Sequence, residues 1–418
     1  MRIGFAKTEI TPPVGTLLGG YAGYRPCSGI HDPLYCKAVV LEQEGWLYAL
    51  AVLDLMCVDE PLYLHIADAV ADLGISRERL IVSAIHSHAA PRGVVFGEGV
   101  LAGINCEPED GEGAFLAYTE LVIGQARDAI RQALESLEAF RVRTARGKTP
   151  SVGSERHTGK EPGGNLTVLQ FRTESGKSFI LCNFPCHPTV TNAANLLVTA
   201  DFAGTMEEKL GADMAVFVNG AAGDISTRFT RRESSFAECH RLGAIGAEAV
   251  LSLISQEEYR EPEPLKGIRS TVTLKARPVE RVETAKGKLE ETEKGWKQAE
   301  AAGEDPNRVR LLKSLAEGAW VNLEFAQKLQ GVTELSLPVT VFRFCGMDFV
   351  TVPGELFSSL QPENSSVIGY ANGYFRYIAG EDAYEAGYYE AMASVVARGQ
   401  GEVLNHHMKQ LLGQLNKL

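Results

Sequence analysis

The sequence predicts an α/β fold of mixed sheets flanked by helices, with a helical hairpin inserted late in the chain. Three observations carry this. Apolar runs at 80–85, 178–184 and 215–218 each end in a Gly- or Pro-rich loop, the pattern of buried strands. Amphipathic stretches lie between them. The clearest is 115–138, where Leu116, Leu121, Val122, Ile123, Ala126, Ile130 and Leu134 recur at helical spacing. Segment 279–330 then turns charged and helix-favouring, broken once around Gly303-Glu304-Asp305-Pro306. With 418 residues, 45% of them hydrophobic, the chain can bury a large core. We read 1–418 as a single domain, with 279–330 an insertion within it.

In chain order, residues 1–60 read as strands joined by turns, since Pro and Gly set special backbone angles at 10–15 and 19–24. Strands are expected at 38–41 and 47–53, the second ending at Asp54, and a helix over 60–73. The next apolar run ends in His86 and His88. In an extended strand, alternate side chains share a face, so the two imidazoles should point the same way. Pro91 then stops the ladder. A Gly-rich, acidic loop follows over 93–112, then the 115–138 helix and a strand from Val142. A polar loop at 153–164 holds Arg156 and His157. Strand 178–184 runs into Pro185-Cys186-His187-Pro188. A helix is expected from about 203, strand 215–218 into a Gly-punctuated turn ending at Ser226, and a helix at 234–255. The hairpin reads as laid on the outside of the core, its charges a solvated face with i,i+4 pairs. It also offers a surface for a lid or a homo-oligomer contact. Strands at 339–344 and 348–352 lead to Pro353-Gly354-Glu355. A last strand enters a tract with Tyr374, Tyr377, Tyr384, Tyr388 and Tyr389.

Composition narrows the function classes. A net charge of −12 argues against nucleic acid, which wants a basic face. No run of 18 apolar residues suggests a transmembrane helix. The N-terminus lacks the apolar core of a signal peptide. The eight cysteines form no CxxC pair, which fits buried reduced thiols and a cytoplasmic protein.

His86, His88, His187, Asp224 and Glu355 all fall where an apolar strand gives way to a loop. Strand ends of an α/β sheet line one rim, so these residues can converge. Two histidines and a carboxylate with an open position are the usual set for a hydrolytic zinc. The plainer alternative for His86 and His88 is one hydrogen-bonded core histidine and one surface histidine. Ser226 equally fits a helix or turn cap, and Tyr377 a packed tyrosine with its hydroxyl bonded. His31 and the His406-His407 pair read as structural and surface residues.

Several segments, in order along nearly the whole chain, resemble the catalytic domain of the neutral (non-lysosomal) ceramidase family and its shorter bacterial relatives. They include Thr8-Glu9-Ile10-Thr11-Pro12-Pro13, Gly29-Ile30-His31-Asp32-Pro33, Ser83-Ala84-Ile85-His86-Ser87-His88, His187-Pro188-Thr189, Gly223-Asp224-Ile225-Ser226, Val352-Pro353-Gly354-Glu355 and Asn372-Gly373-Tyr374. The resemblance implies a single ceramidase-like catalytic domain and a zinc ion held by His86, His187, Glu355 and Tyr377. It places His88 beside the metal, and it aligns Asp224 and Ser226 with the family's motif. Tyr389 matches a tyrosine of the substrate pocket, and Arg156 an active-site arginine. One departure is Ala221, where the family's motif has asparagine.

The expected function is zinc-dependent hydrolysis of an amide bond in a small N-acylated amino alcohol or amino sugar, through a zinc-activated water. In that reading His88 and Asp224 handle protons, and Ser226 or Tyr389 holds the oxyanion or orients the substrate. Ceramide itself is not expected, because the chain has no room for a further C-terminal domain. The alternatives are a metal-dependent hydrolase or lyase acting on a polar carbohydrate, and a non-catalytic metal-binding module. An apolar tunnel would favour acyl chains, and walls of Trp, Arg and Asp would favour sugars.

Overall fold

Three four-stranded sheets carry the chain. The computed structural model describes residues 1–95, 97–101, 112–162 and 165–418. Cys106 and most of the loop expected over 93–112 lie outside the described residues, as do Gly163 and Gly164 of the polar loop.

The first sheet pairs Arg2–Glu9, Tyr35–Gln43 and Trp46–Leu53 antiparallel, and Leu80–Ala84 joins Trp46–Leu53 in parallel. Helix Glu112–Glu135 lies across it. Its buried stripe is Val122, Ala126, Ala129, Ile130 and Ala133, while Leu116 and Leu121 are exposed, contrary to the face read from spacing. Alanines on that stripe allow a close approach. A Cβ on Gly4 would lie only 1.9 Å from the carbonyl oxygen of Ala133, so glycine is required there.

The second sheet sets Met214–Asn219 parallel to Ser178–Phe184, followed antiparallel by Asn165–Thr173 and Phe140–Lys148. Helices Asp201–Lys209 and Phe236–Ile254 cover it, the second capped by Ser235. The third sheet pairs Lys266–Lys275, Glu334–Phe344 and Met347–Thr351 antiparallel, and Ser365–Ile368 runs parallel to the last. Helix Gln400–Leu415 seals it with Leu404, Met408, Leu411 and Leu415. The first two sheets share one hydrophobic core and the third has its own.

Buried asparagines tie the strand ends of the three sheets into one rim. Asn183 donates to the carbonyl of Val367 (2.6 Å) and Asn219 to that of Ile85 (2.9 Å). Asn372 accepts from the Val82 amide (2.8 Å). Leaving such groups unpaired would be costly, so these bonds fix how the sheets meet.

A buried ionic cluster links the first two sheets. Lys37 Nζ lies 2.6 Å from Asp54 Oδ1 and 2.5 Å from Glu207 Oε2. The remaining oxygens accept from the amides of Tyr35 (2.9 Å) and Phe217 (2.7 Å). Asp54, a strand-end acid like Glu355, is therefore wholly engaged in structure.

Helices Val282–Ala301 and Pro306–Lys328 pack on each other. Pairs such as exposed Glu293–Lys297 (2.7 Å) and part-buried Glu324–Lys328 (3.1 Å) follow the i,i+4 pattern. The excursion leaves and re-enters the third sheet where Lys275 and Glu334 are cross-strand partners. No helix among the described residues is long and apolar enough to cross a membrane. Among the described residues, seven cysteines are buried and unpaired.

Candidate metal centre

The centre begins where strand Leu80–Ala84 stops. The amides of Ile85 and His86 still bond to the carbonyls of Leu53 and Leu55. At His86 the backbone turns left-handed, with φ of 70°. That conformation costs a non-glycine residue about 1–2 kcal/mol. His86 and His88 therefore converge because of a backbone turn, and not by the strand alternation read from their spacing. Their Nε2 atoms stand 3.1 Å apart. His86 Nδ1 is fixed on the carbonyl of Met56 (2.6 Å), and its ring stacks on Tyr370 with centroids 4.2 Å apart.

His187 follows strand Ser178–Phe184 and is fully buried. Both its amide and its Nδ1 meet the carbonyl of Ile225, each at 3.1 Å. Its Nε2 lies 2.9 Å from Glu355 Oε2, which is also 3.4 Å from His86 Nε2. Glu355 opens a two-residue parallel ladder, Glu355–Leu356 with Tyr377–Ile378. Its other oxygen accepts a 2.5 Å hydrogen bond from the Tyr374 hydroxyl. The three imidazoles bring ligand atoms within 4.8 Å of one another.

This geometry fits a metal ion. A ring whose Nδ1–H donates to a carbonyl presents a bare lone pair at Nε2 when neutral. His86 and His187 are both held this way, and both lone pairs face Glu355 Oε2. Lone pair against lone pair at 2.9–3.4 Å is repulsive unless a cation lies between them. Nitrogens about 2.0–2.1 Å from a tetrahedral zinc stand roughly 3.3 Å apart, close to these spacings. The outer carbonyl contacts and the Tyr374–Glu355 bond are the supports that orient metal ligands. His88 differs, because its Nδ1 is buried with no hydrogen-bond partner.

Electrostatics agree with a neutral His187 and a neutral His88. Burial, then Arg156, lowers His187 to about 4. Burial, then His86 and His187, holds His88 well below the usual histidine range. Burial would raise Glu355, but the nearness of His86 and His187 outweighs it and holds the carboxyl well below the usual carboxylate range, so it is ionised.

A second polar group adjoins the first. Buried Arg156 donates through Nη1 to the Tyr377 hydroxyl (3.2 Å) and to Glu390 Oε1 (2.9 Å). His157 stacks face to face on Tyr388 at 3.6 Å, with Nε2 3.0 Å from Glu390 Oε2, an ion-pair distance without hydrogen-bond alignment. Tyr389 packs edge-on to Tyr377 at 6.1 Å. The Tyr377 hydroxyl, which the motif resemblance places on the metal, is thus turned to Arg156. Burial, then Glu355, holds its pKa well above 10, so it stays a neutral phenol.

Ser226 sits on the cavity wall, and its hydroxyl also caps the turn at Arg228 (3.4 Å). Asp224 sits apart from these groups. Both its oxygens accept from Ser358, one from the amide and one from the hydroxyl, each at 2.7 Å, and it is absent from the cavity lining. These two bonds hold the loop after Glu355. Sequence reading assigned no role to Tyr374, Glu390 or Arg228. Glu390 meets Arg156 across 234 positions, a pairing that no local spacing announces.

His86, His88, Arg156, Ser226, Glu355, Tyr377, Tyr389 and Glu390 line a cavity of about 1110 Å³. Trp296, Arg310, Leu311 and Trp320 of the helical hairpin form one wall of it, with Arg228 and Phe229 beside them. The hairpin therefore walls the cavity on one side while carrying ion pairs such as Glu293–Lys297.

No family model and no curated protein sequence matches the chain. Among solved structures, the crystal structure of neutral ceramidase from Pseudomonas aeruginosa matches with a TM-score of 0.75 at 18% identity, over 100% of this chain and 75% of that one. A ceramidase complexed with C2 matches with a TM-score of 0.72 at 17% identity, with the same coverage. The chain thus shares the fold of neutral ceramidase structures from end to end.

Proposed function

We propose that this protein is a zinc-dependent hydrolase of an amide bond in a polar N-acylated amino alcohol or amino sugar. The observation that carries the reading is the buried meeting of His86, His187 and Glu355, lone pair to lone pair, with His86 and Glu355 on the wall of a large cavity. His86 and His187, each aimed by a backbone carbonyl, and Glu355, aimed by Tyr374, would hold the ion. Zinc, when bound, supplies Lewis acidity and a nucleophile at neutral pH.

His88 is neutral at pH 7 and lacks the carbonyl anchor of the two ligands. It takes a proton at Nε2, 3.1 Å from the His86 ligand nitrogen. Tyr377 accepts from Arg156, which leaves its own proton free to donate to a substrate oxygen. Ser226 and Tyr389 orient the acyl group from the same cavity. Arg156 is kept in place by Glu390. Walls of tryptophan and arginine favour a polar substrate over an acyl chain. They equally support a second reading, a metal-dependent hydrolase or lyase acting on a polar carbohydrate. Seven buried, unpaired thiols favour a reducing compartment such as the cytoplasm.

Metal analysis of the purified protein, with a panel of soluble N-acyl compounds, ceramide and carbohydrates, tests this. About one zinc per chain is expected, and His86→Ala should lose it. His88→Ala should keep its zinc while turnover falls roughly 10²–10⁴-fold. Absence of zinc in wild type after zinc is supplied would overturn the reading. Ceramide turned over as fast as the best soluble amide would overturn its substrate half. Carbohydrate cleavage without amide turnover would install the second reading.

A further inference from the structure

We propose that the substrate of this cavity carries an anionic group, a carboxylate or a phosphate, that seats against Arg228 and Arg310 while its scissile bond faces the histidine cluster. The orientation rests on the hydrolase reading above; the anion contact itself does not.

The chain has a net charge of −12, yet seven Arg and Lys side chains line the cavity against four Glu. Most of those carboxylates are already engaged. Glu355 is held by the histidines and Tyr374, Glu390 by Arg156, and Glu293 pairs with Lys297 along its helix. Arg228 and Arg310 are not matched in the same way. The hydrogen bond of half-buried Arg228 goes to the backbone carbonyl of Arg156 (3.2 Å). Among the described residues, neither Arg228 nor Arg310 has a carboxylate at ion-pair distance. Glu317, which faces both, stands beyond it.

Two further donors are left over. Arg156 Nε and Trp296 Nε1 are buried with no partner, and both residues line the cavity. A ligand rich in acceptors would satisfy all of these groups; a hydrocarbon chain would satisfy none. Assembling the cations has a cost in the free protein. Burial, then Arg156 and Arg310, lowers Arg228 to about 10. Arg228 lies on the turn after Ser226 and Arg310 on the hairpin, so distant parts of the chain converge there. Guanidinium groups pair bidentately with planar carboxylates and with phosphates. A cleft of one charge sign also raises the local concentration of an oppositely charged substrate, and salt weakens this.

The test titrates inorganic phosphate and acetate into wild type, Arg228→Met and Arg310→Gln at constant ionic strength, with chloride as the reference anion. Tryptophan fluorescence reports binding, because Trp296 and Trp320 line the cavity and Trp46 is the third tryptophan of the chain. Phosphate or acetate should bind in preference to chloride, and each variant should weaken this by about tenfold or more. The preferred anion names the group.

His187→Ala, which removes the metal centre, should still bind the anion. In a parallel arm, kcat/KM for N-acetyl-O-phosphoethanolamine or N-acetyl-β-alanine, relative to neutral N-acetylethanolamine, should fall about tenfold in the arginine variants. Anion binding equal in all three proteins, or no stronger than chloride, would overturn the proposal. Arg310 is exposed, so its variant decides the matter even if Arg228→Met does not fold. Loss of all amide turnover with arginine-dependent anion binding would sink the hydrolase reading and leave this one standing.

Discussion

Lys37, Asp54 and Glu207 form one buried polar cluster of this molecule; His86, His88, His187 and Glu355 form another. Both sit at strand ends and both carry displaced titrations. Glu207 is raised to about 7, by burial first, and His187 is lowered to about 4. A perturbed pKa therefore does not tell them apart. The difference lies in what is left over. In the lysine cluster every oxygen has a donor, from the ammonium or from a backbone amide. In the histidine cluster the acceptors face each other and the donors point outward to carbonyls. One cluster is complete as folded; the other is completed by a cation.

The sharpest way to break this contrast is to remove the central group from each. Lys37→Met leaves two carboxylates buried without their counter-charge. It should cost about 3–5 kcal/mol in denaturant unfolding while zinc content stays at the wild-type level. His187→Ala should do the reverse, with zinc falling to near zero. Loss of zinc in Lys37→Met would show that the two clusters are not separate devices.

Glu390 gives a smaller effect with a pH signature. Burial alone would raise its carboxyl, but His157 and Arg156 bring it down to about 2, against an ordinary 4.5. The folded state therefore binds this proton less readily than the unfolded chain does. The stabilisation is fully present above about pH 4.5 and is lost as pH falls toward about 2. The difference of roughly 2.5 units corresponds to on the order of 3 kcal/mol. Unfolding free energies of wild type and Glu390→Gln should therefore converge as pH drops from about 5 to 2. A gap that stays constant over that range would refute the assignment.

The smallest effect is at Tyr374. Tyr374→Phe removes the 2.5 Å hydrogen bond to Glu355 and keeps the ring. Zinc affinity should fall roughly 10–100-fold, as is usual for a group that orients a ligand. Competition with a chelator measures it. Unchanged affinity would mean that Glu355 needs no outside support.

Much of the centre was legible because its parts obey local rules. An apolar run followed by Pro or Gly marks a strand end, and His86, His187 and Glu355 each follow such a run. The same rule promoted Asp224, which accepts from Ser358, and it applies equally to Asp54, which is bound to Lys37. Whether a strand-end acid is free depends on partners up to 170 positions away, here Glu207 beside Lys37. The stripe of helix Glu112–Glu135 was misread at Leu116 and Leu121 because hydrophobicity ranks leucine above alanine. Close packing against Gly4 selects alanine instead. The hairpin's part in the cavity was hidden for a similar reason. Arg310 and Trp320 sit in an ordinary charged helix, and nothing in its periodicity separates a face toward water from a face toward a cavity.

The attachment of that hairpin has a practical consequence. Lys275 and Glu334 lie opposite each other in one sheet, so the excursion starts and finishes at the same place. Everything from 276 to 333 is then one excursion that starts and ends at a single seam, remote in the chain from each histidine of the centre, though its Val321, Phe325 and Leu329 help fill the third sheet's core. A lineage could trade one such excursion for another, shorter or differently charged, and change what the enzyme accepts while inheriting the chemistry intact. The same seam offers a protein engineer a defined site for grafting.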